Sequence, residues 1–326
     1  MTAIAHRVTF GGLLRSEWIK LFSLRTTWWL YAITIVLFVG VAALSALSSG
    51  SWASSYLNPE NPAIAAAPGA SAPSMPAALV AVQVNAELVR WAAPVLLFAA
   101  LVVSVLGVIA MAGEFGTGMI KSTFAAAPRR TDALLSKLLV CFLASVATGA
   151  IGTLLATAVS AGIMSANGWA IDLADPYLWR ALGGTIGYVG FAGAFGVLIG
   201  ALIRVQAGAI PTAIGILLVL PTIVALLSSL LDWNWLTNTA PFLPSNLGNS
   251  FAGYPTAEAM QAADPDGSSY VGSGSASPWL NVDQLDDGTE QVTRLSVGDA
   301  LAGLLLLAWL VIAWAFAQLV TKRNDA

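Results

Sequence analysis

Six long stretches of this chain contain no charged residue, and the segments between them carry all of its charge. The uncharged stretches cover residues 26–59, 91–113, 138–171, 181–203, 205–231 and 300–321, and the shortest has 22 residues. About 20 apolar residues at a rise of 1.5 Å per residue cross a hydrocarbon core of roughly 30 Å. Because no alternation with a period of two is visible, the stretches predict helices rather than barrel strands. The sequence therefore predicts an all-α integral membrane protein with six transmembrane helices.

The composition agrees with a single membrane domain. Charged residues make up only 10% of the chain, whereas soluble domains contain about 25%. We divide residues 1–326 into one permease-like domain. Its predicted parts are an interfacial helix in 1–27, spans at 28–48, 90–112, 137–163, 180–203, 207–231 and 299–320, outer loops at 49–89, 164–179 and 232–298, an inner loop at 113–136, an inner turn at 204–206 and an inner tail at 321–326.

The basic residues predict the orientation. With both termini on the cytoplasmic side, eleven of the fourteen Lys and Arg residues lie inside, and only Arg90, Arg180 and Arg294 lie outside. Lys and Arg collect in the short cytoplasmic loops of membrane proteins. We therefore expect a multi-pass protein of the cell (plasma) membrane with cytoplasmic N- and C-termini.

The segment before the first span has the pattern of an amphipathic helix. Leu14, Trp18, Leu21 and Phe22 recur at helical spacing, with basic and polar residues between them. A basic helix with Trp and Leu on one face is typical of the membrane interface. A simple basic anchor in front of the first span is a compatible interpretation.

Small residues suggest where helices pack closely. The fourth span contains two GxxxG pairs, which allow helix backbones to approach each other in lipid. The pairs favour packing within the chain, and a subunit interface is the alternative. The residues are Gly183, Gly187, Gly196 and Gly200.

The long outer loop has two parts of different composition. Residues 232–251 are apolar and aromatic but broken by Pro241 and Pro244, so this part either re-enters the outer leaflet or lies at the interface. The part from Tyr254 to Gly298 is acidic and rich in Gly and Ser. We expect a solvated loop that is too short and polar to form a domain.

Several kinds of chemistry are not supported by the sequence. No lysine follows a glycine, so a Walker A loop is absent, and HExxH needs a second histidine besides His6. No GxSxG is present, and Cys141 is the only cysteine. No ionisable residue is predicted at mid-membrane, where proton relays normally use them. We expect no enzymatic activity, no bound cofactor or metal, and no nucleic-acid partner.

Three segments resemble the permease subunits of type II ABC exporters, particularly those of actinobacteria. They are LLRSEWIKLFSLRTTWWL (13–30), GEFGTGMIKSTFAAAPRRTDALLSKLL (113–139) and APFLPSNLGNSF (240–251). The second is similar to the family pattern E-x-x-x-G-T-I-x-x-T-L-x-x-x-P-x-R-x-x-x-x-x-x-K. The matching positions are Glu114, Gly118, Ile120, Thr123, Pro128, Arg130 and Lys137.

The resemblance implies an ATP-driven exporter built from two permease halves, identical or homologous, with two separate cytoplasmic ATPase subunits beneath them. It also implies that the loop after span two docks into the ATPase and that the N-terminal helix contacts it. The acidic segment from Tyr254 to Gly298 is longer than the family's usual outer loop. The docking candidates are Glu114, Gly118, Ile120, Lys121, Phe124, Arg129 and Arg130.

Simpler interpretations of these residues remain open. Arg129 and Arg130 also fit positive-inside anchoring, and Glu114 also fits a helix-boundary carboxylate. The apolar span interiors favour a hydrophobic or amphipathic substrate over a multiply charged one. The alternative function is a non-transporting scaffold or sensor that acts through the outer acidic loop.

Overall fold

Helices account for most of the residues that the structure describes. The computed structural model describes residues 9–56, 77–120, 130–231, 233–263, 280–286 and 291–323. Six helical segments are long and apolar enough to cross a membrane, which confirms the number predicted from the sequence. A short helix, α1 (Phe10–Ser23), precedes them.

The spans follow one another with short breaks. The first is α2 (Arg25–Tyr56), and the second is α3 (Ala77–Leu88) followed by α4 (Ala92–Thr117). The third is α5 (Arg130–Ala166), the fourth is α6 (Pro176–Ile203), and the sixth is α12 (Asp299–Arg323). The third span begins earlier than the predicted residue 137, and α3 lies within the predicted outer loop 49–89. The end of the bundle that carries α1 is called the basic end below, and the opposite end is called the acidic end.

The fourth span forms the centre of the bundle. Its helix α6 packs against α4, α5 and α12, and it is the most buried of the six spans. Glycines make this packing possible, because a Cβ on Gly196 would overlap the Ser104 carbonyl oxygen of α4. The rings of Tyr188, Phe191 and Phe195 stack along the same helix with centroids 5.7 and 5.5 Å apart. Small and aromatic residues thus fill the core together.

A two-residue turn joins the fourth and fifth spans. Arg204 has a φ of 61°, and its N–H donates to the Gly200 carbonyl oxygen to end α6. The fifth span consists of α7 (Gln206–Ile214), a π-helical turn (Gly215–Val219) and α8 (Leu220–Leu231). Pro211 and Pro221 flank the turn, and both lack the N–H that a regular helix requires. The first half of this span packs on α4 and α6, whereas α8 is mostly exposed.

The apolar part of the outer loop folds back onto the bundle. It forms α9 (Asn234–Thr239), a 3₁₀ turn (Ala240–Phe242) and α10 (Pro244–Ala252). Helix α10 packs against α6 and α12, and its Leu247 is fully buried. The Trp309 indole N–H of α12 donates to the Phe242 carbonyl oxygen at 3.2 Å.

The acidic part of the loop is more ordered than the sequence predicts. It contains α11 (Thr256–Ala263) and an antiparallel pair, β1 (Leu280–Asp286) and β2 (Gln291–Val297). The register pairs Leu280 with Val297 and Asp286 with Gln291. The expectation of an all-α chain is therefore wrong for this segment, because backbone pairing orders it without an apolar core of its own.

Candidate functional site

Helix α1 is attached to the bundle along one narrow stripe. The Thr9 side chain caps its first turn by accepting from the Gly12 N–H at 3.3 Å. Leu13, Glu17 and Leu21, spaced by four residues, are the buried positions of the helix and pack toward α5. The helix ends at Leu24, whose extended backbone lets α2 begin at Arg25 in a new direction.

The predicted apolar face of α1 lies beside this stripe rather than on it. Leu21 is buried, Leu14 and Phe22 are half-buried, and Trp18 is 44% exposed. The Trp18 and Phe22 rings lie 4.6 Å apart, and the Trp28 indole N–H donates to the Phe22 carbonyl oxygen at 3.0 Å. This flank leaves aromatic surface exposed at the corner between α1 and the first span.

Four charged side chains meet where α1 contacts the second and third spans. We call Glu17, Lys20, Glu114 and Lys137 the charge cluster. Lys137 donates to Glu17 Oε2 at 2.5 Å and to Glu114 Oε1 at 2.9 Å. Lys20 donates to Glu17 Oε1 at 2.7 Å and to Glu114 Oε1 at 3.1 Å. Glu17, Glu114 and Lys137 are buried, and only Lys20 reaches solvent.

Burial and pairing act in opposite directions on the charges of α1. Burial raises the pKa of the Glu17 carboxyl, but the charge and hydrogen bond of Lys137, together with Lys20, lower it to below its ordinary value. Burial lowers the pKa of Lys20, but its hydrogen bond to Glu17 and the charges of Glu17 and Glu114 raise it above its ordinary value. Both residues are therefore charged near neutral pH.

The docking candidates predicted after the second span are only partly described. Glu114 lies in the last turn of α4, and Gly118 ends that helix with a φ of 73°, which favours glycine. Ile120 is buried against Leu21 and Leu134. Arg130 begins α5, and its side chain lies outside the described part of the structure, as do Lys121, Phe124 and Arg129.

The four predicted packing glycines have different surroundings. A Cβ on Gly200 would lie 3.1 Å from Met111 Cβ, and one on Gly187 would lie 2.9 Å from the Phe251 ring. Gly196 faces Ser104 of α4, as described above. A Cβ on Gly183 would meet nothing within 4 Å. Three of the four therefore contact other helices of this chain, and Gly183 faces open space.

A second polar cluster lies at the acidic end. Arg180 of α6 donates to Asp299 at the start of α12, and its Nη1 donates to Glu258 Oε2 of α11 at 2.9 Å. The Tyr254 hydroxyl and the Asn85 amide of α3 both donate to Asp175 Oδ2, at 2.5 and 2.9 Å. These contacts connect the loop helices to the ends of three spans.

Sequence reasoning missed the most important contributor to the charge cluster. Glu17 was not among the predicted site residues, although it stands four residues from both Leu13 and Leu21. An acidic residue in the middle of an otherwise apolar stripe is the signal that a buried cationic partner exists. Lys137 matched the family pattern but had no assigned role.

The identity of the chain rests on these residues and their geometry. Comparison with protein-family models and with curated proteins finds no match for this chain.

Proposed function

We propose that this chain is the transmembrane subunit of an ATP-driven ABC exporter that forms the substrate pathway. The observation that carries the proposal is the charge cluster, which joins the N-terminal helix to the end of the second span and the start of the third. Movement of the segment after Glu114 is transmitted to α1 and α5 through buried ion pairs. A docking element needs such a rigid connection to the spans.

The energy source belongs to a partner in this proposal. The chain has no Walker A loop, and its spans carry no charge over long stretches. Two cytoplasmic ATPase subunits bind beneath two permease halves, identical or homologous. Glu114 and Ile120 hold the docking segment against the bundle, and Lys121, Phe124, Arg129 and Arg130 supply its contacts.

The proposed orientation places the basic end in the cytoplasm of the cell, with the chain in the plasma membrane. The distribution of Lys and Arg supports it. The mostly exposed apolar surface of α8 suits lipid or the second permease half. A pathway of apolar and small polar residues suits a hydrophobic or amphipathic substrate.

Purification from native membranes in mild detergent tests the partner. Mass spectrometry of the co-purifying proteins is expected to find a stoichiometric cytoplasmic subunit with a Walker A loop. Reproducible recovery of the chain without any ATPase would contradict the proposal.

A pair of variants tests coupling. Glu114→Gln and Phe124→Asp are expected to keep ATP hydrolysis but lose transport, because the docking segment no longer moves the spans. Glu87→Gln is the matched control, since Glu87 pairs with Arg90 at the acidic end. Coupled transport in both docking variants removes the docking role.

A scaffold or sensor without substrate is the second candidate function. The observation in its favour is the ordered loop, in which Arg180 holds α11 and the Asn238 side chain accepts from the Leu295 N–H of β2 at 3.1 Å. It predicts an extracellular protein partner and no phenotype for Glu114→Gln. Deletion of residues 264–279 separates the candidates, because only a sensor requires that segment.

A further inference from the structure

A cavity at the basic end contains the charge cluster in one wall. Its volume is about 320 Å³, and it lies between α1, α4, α5 and the start of α7. Leu21, Ile109 and Val140 supply apolar lining opposite the charges. The volume is at the small end of the range for ligand pockets, about 300–1,000 Å³. It is far larger than the roughly 30 Å³ that one water molecule occupies.

One buried atom in this wall has no partner. Both lysines of the charge cluster bind Glu114 through Oε1. Glu114 Oε2 is buried and has no hydrogen-bond partner among the residues that the structure describes, and the Glu114 side chain is only 9% exposed. An ionised carboxylate oxygen only accepts hydrogen bonds, and leaving it buried and unpaired is unfavourable. The group that completes this wall must be a donor.

We propose that this cavity binds an alkylguanidinium or alkylammonium group, with Glu114 Oε2 as the acceptor. A cationic donor forms a stronger hydrogen bond to a carboxylate than a neutral donor does. The apolar lining contacts the alkyl chain. The cationic group belongs either to a free small molecule or to an arginine or lysine side chain of a cytoplasmic partner. The proposal does not depend on transport, since it concerns the chain alone.

The charge balance identifies how the cation enters. Glu17, Glu114, Lys20 and Lys137 together carry no net charge, so an added cation needs a place that another cation can leave. Lys137 is fixed, because only 6% of its side chain is exposed. Lys20 is 35% exposed and can swing its ammonium into solvent on its flexible stem. The bound cation exchanges with Lys20, which keeps the cluster neutral.

Thermal unfolding of the full chain in phosphatidylcholine nanodiscs tests the proposal. The probes are n-butylguanidinium chloride and n-butylammonium chloride at matched ionic strength, and N-butylurea is the neutral analogue of the former. The two cations are expected to raise the unfolding midpoint by about 2–4 °C at ten times Kd. N-butylurea is expected to leave it unchanged. An equal shift with N-butylurea overturns the proposal.

Two variants make the test specific. Ala110→Phe fills the cavity without touching the four charges, since Ala110 lies in its lining, and should abolish the shift. Lys20→Met removes the competing ammonium and is expected to tighten binding of n-butylguanidinium several-fold. An unchanged response in Ala110→Phe, or weaker binding in Lys20→Met, overturns the assignment.

Photo-crosslinking distinguishes the two sources of the cation. Met119 is 49% exposed and lies in the lining of the cavity, so it can carry the photoreactive group. In native membranes, a crosslink to another protein that n-butylguanidinium suppresses identifies a partner side chain. With the thermal shift established, the lack of such a crosslink identifies a free small cation.

Discussion

Lys137 of the third span donates a hydrogen bond of 2.5 Å to Glu17 of the N-terminal helix, 120 positions earlier in the chain. Both side chains are buried. Ions leave water only at a high cost, so a buried pair persists where its geometry and additional hydrogen bonds are good. The pair therefore specifies one position of α1 on the bundle more strictly than apolar contacts alone.

Lys137→Met is expected to destabilise the protein strongly. It leaves two buried carboxylates with only the half-exposed Lys20, and removal of one partner of a buried pair costs about 3–5 kcal/mol. Lys20→Met is the matched control and should cost about 1 kcal/mol or less. Unfolding of the purified variants in detergent measures both values. Equal losses would show that burial of Lys137 is unimportant.

The pH dependence of stability should follow Glu17. Its pKa in the folded protein is lowered, so its contribution is present above its unfolded pKa of about 4.3 and is lost as pH falls through the folded value. The raised pKa of Lys20 acts at the other extreme: its contribution is present below the unfolded pKa of about 10.4 and is lost as pH rises through the folded value. Unfolding midpoints between pH 7 and pH 3 should fall less in Glu17→Gln than in the unsubstituted chain. Parallel curves would contradict this assignment.

Gly196→Ala is expected to lower stability by about 1–3 kcal/mol, because the added methyl group must push α6 away from Ser104 of α4. Gly183→Ala in the same helix is the control. A Cβ there meets nothing within 4 Å, and alanine is the better helix former. Thermal unfolding in detergent compares the two. A loss of stability in Gly183→Ala would reveal a contact made outside this chain.

Arg180→Gln is expected to release α11 from the bundle. The substitution removes the ion pairs to Glu258 and Asp299, and the backbone amides of α11 should exchange about tenfold faster with solvent deuterium. Mass spectrometry of peptides covering residues 256–263 measures this exchange. Arg90→Gln is the control, because Arg90 pairs only locally with Glu87. Unchanged exchange in Arg180→Gln would show that the apolar contacts of α11 suffice.

The spans were predictable because lipid imposes a single strong rule on composition and length. Their ends were less predictable, since α5 continues to Arg130 past the buried Lys137, a residue that hydropathy assigns to water. Helix α3 was missed because Asn85 and Glu87 make its sequence resemble a loop. The strands β1 and β2 were missed because acidic residues dominate their segment.

The candidate site could be predicted only in part. The family pattern pointed to Glu114 and Lys137, and helical spacing pointed to α1. The meeting of the three elements depends on tertiary packing, which places Glu17 within reach of Lys137. The cavity beside Glu114 likewise arises from the gap between four helices and has no local sequence signal.

The turn at Arg204 and Val205 has a mechanical consequence for the fifth span. Arg204 is held in place because its guanidinium lies over the Phe115 ring at 5.3 Å and donates to the Val320 carbonyl oxygen at 3.2 Å. A joint so short and so firmly clamped offers no slack at its own level. If the fifth span swings like a lever, its fulcrum lies at this turn, and its greatest travel is at the opposite tip, near Leu231.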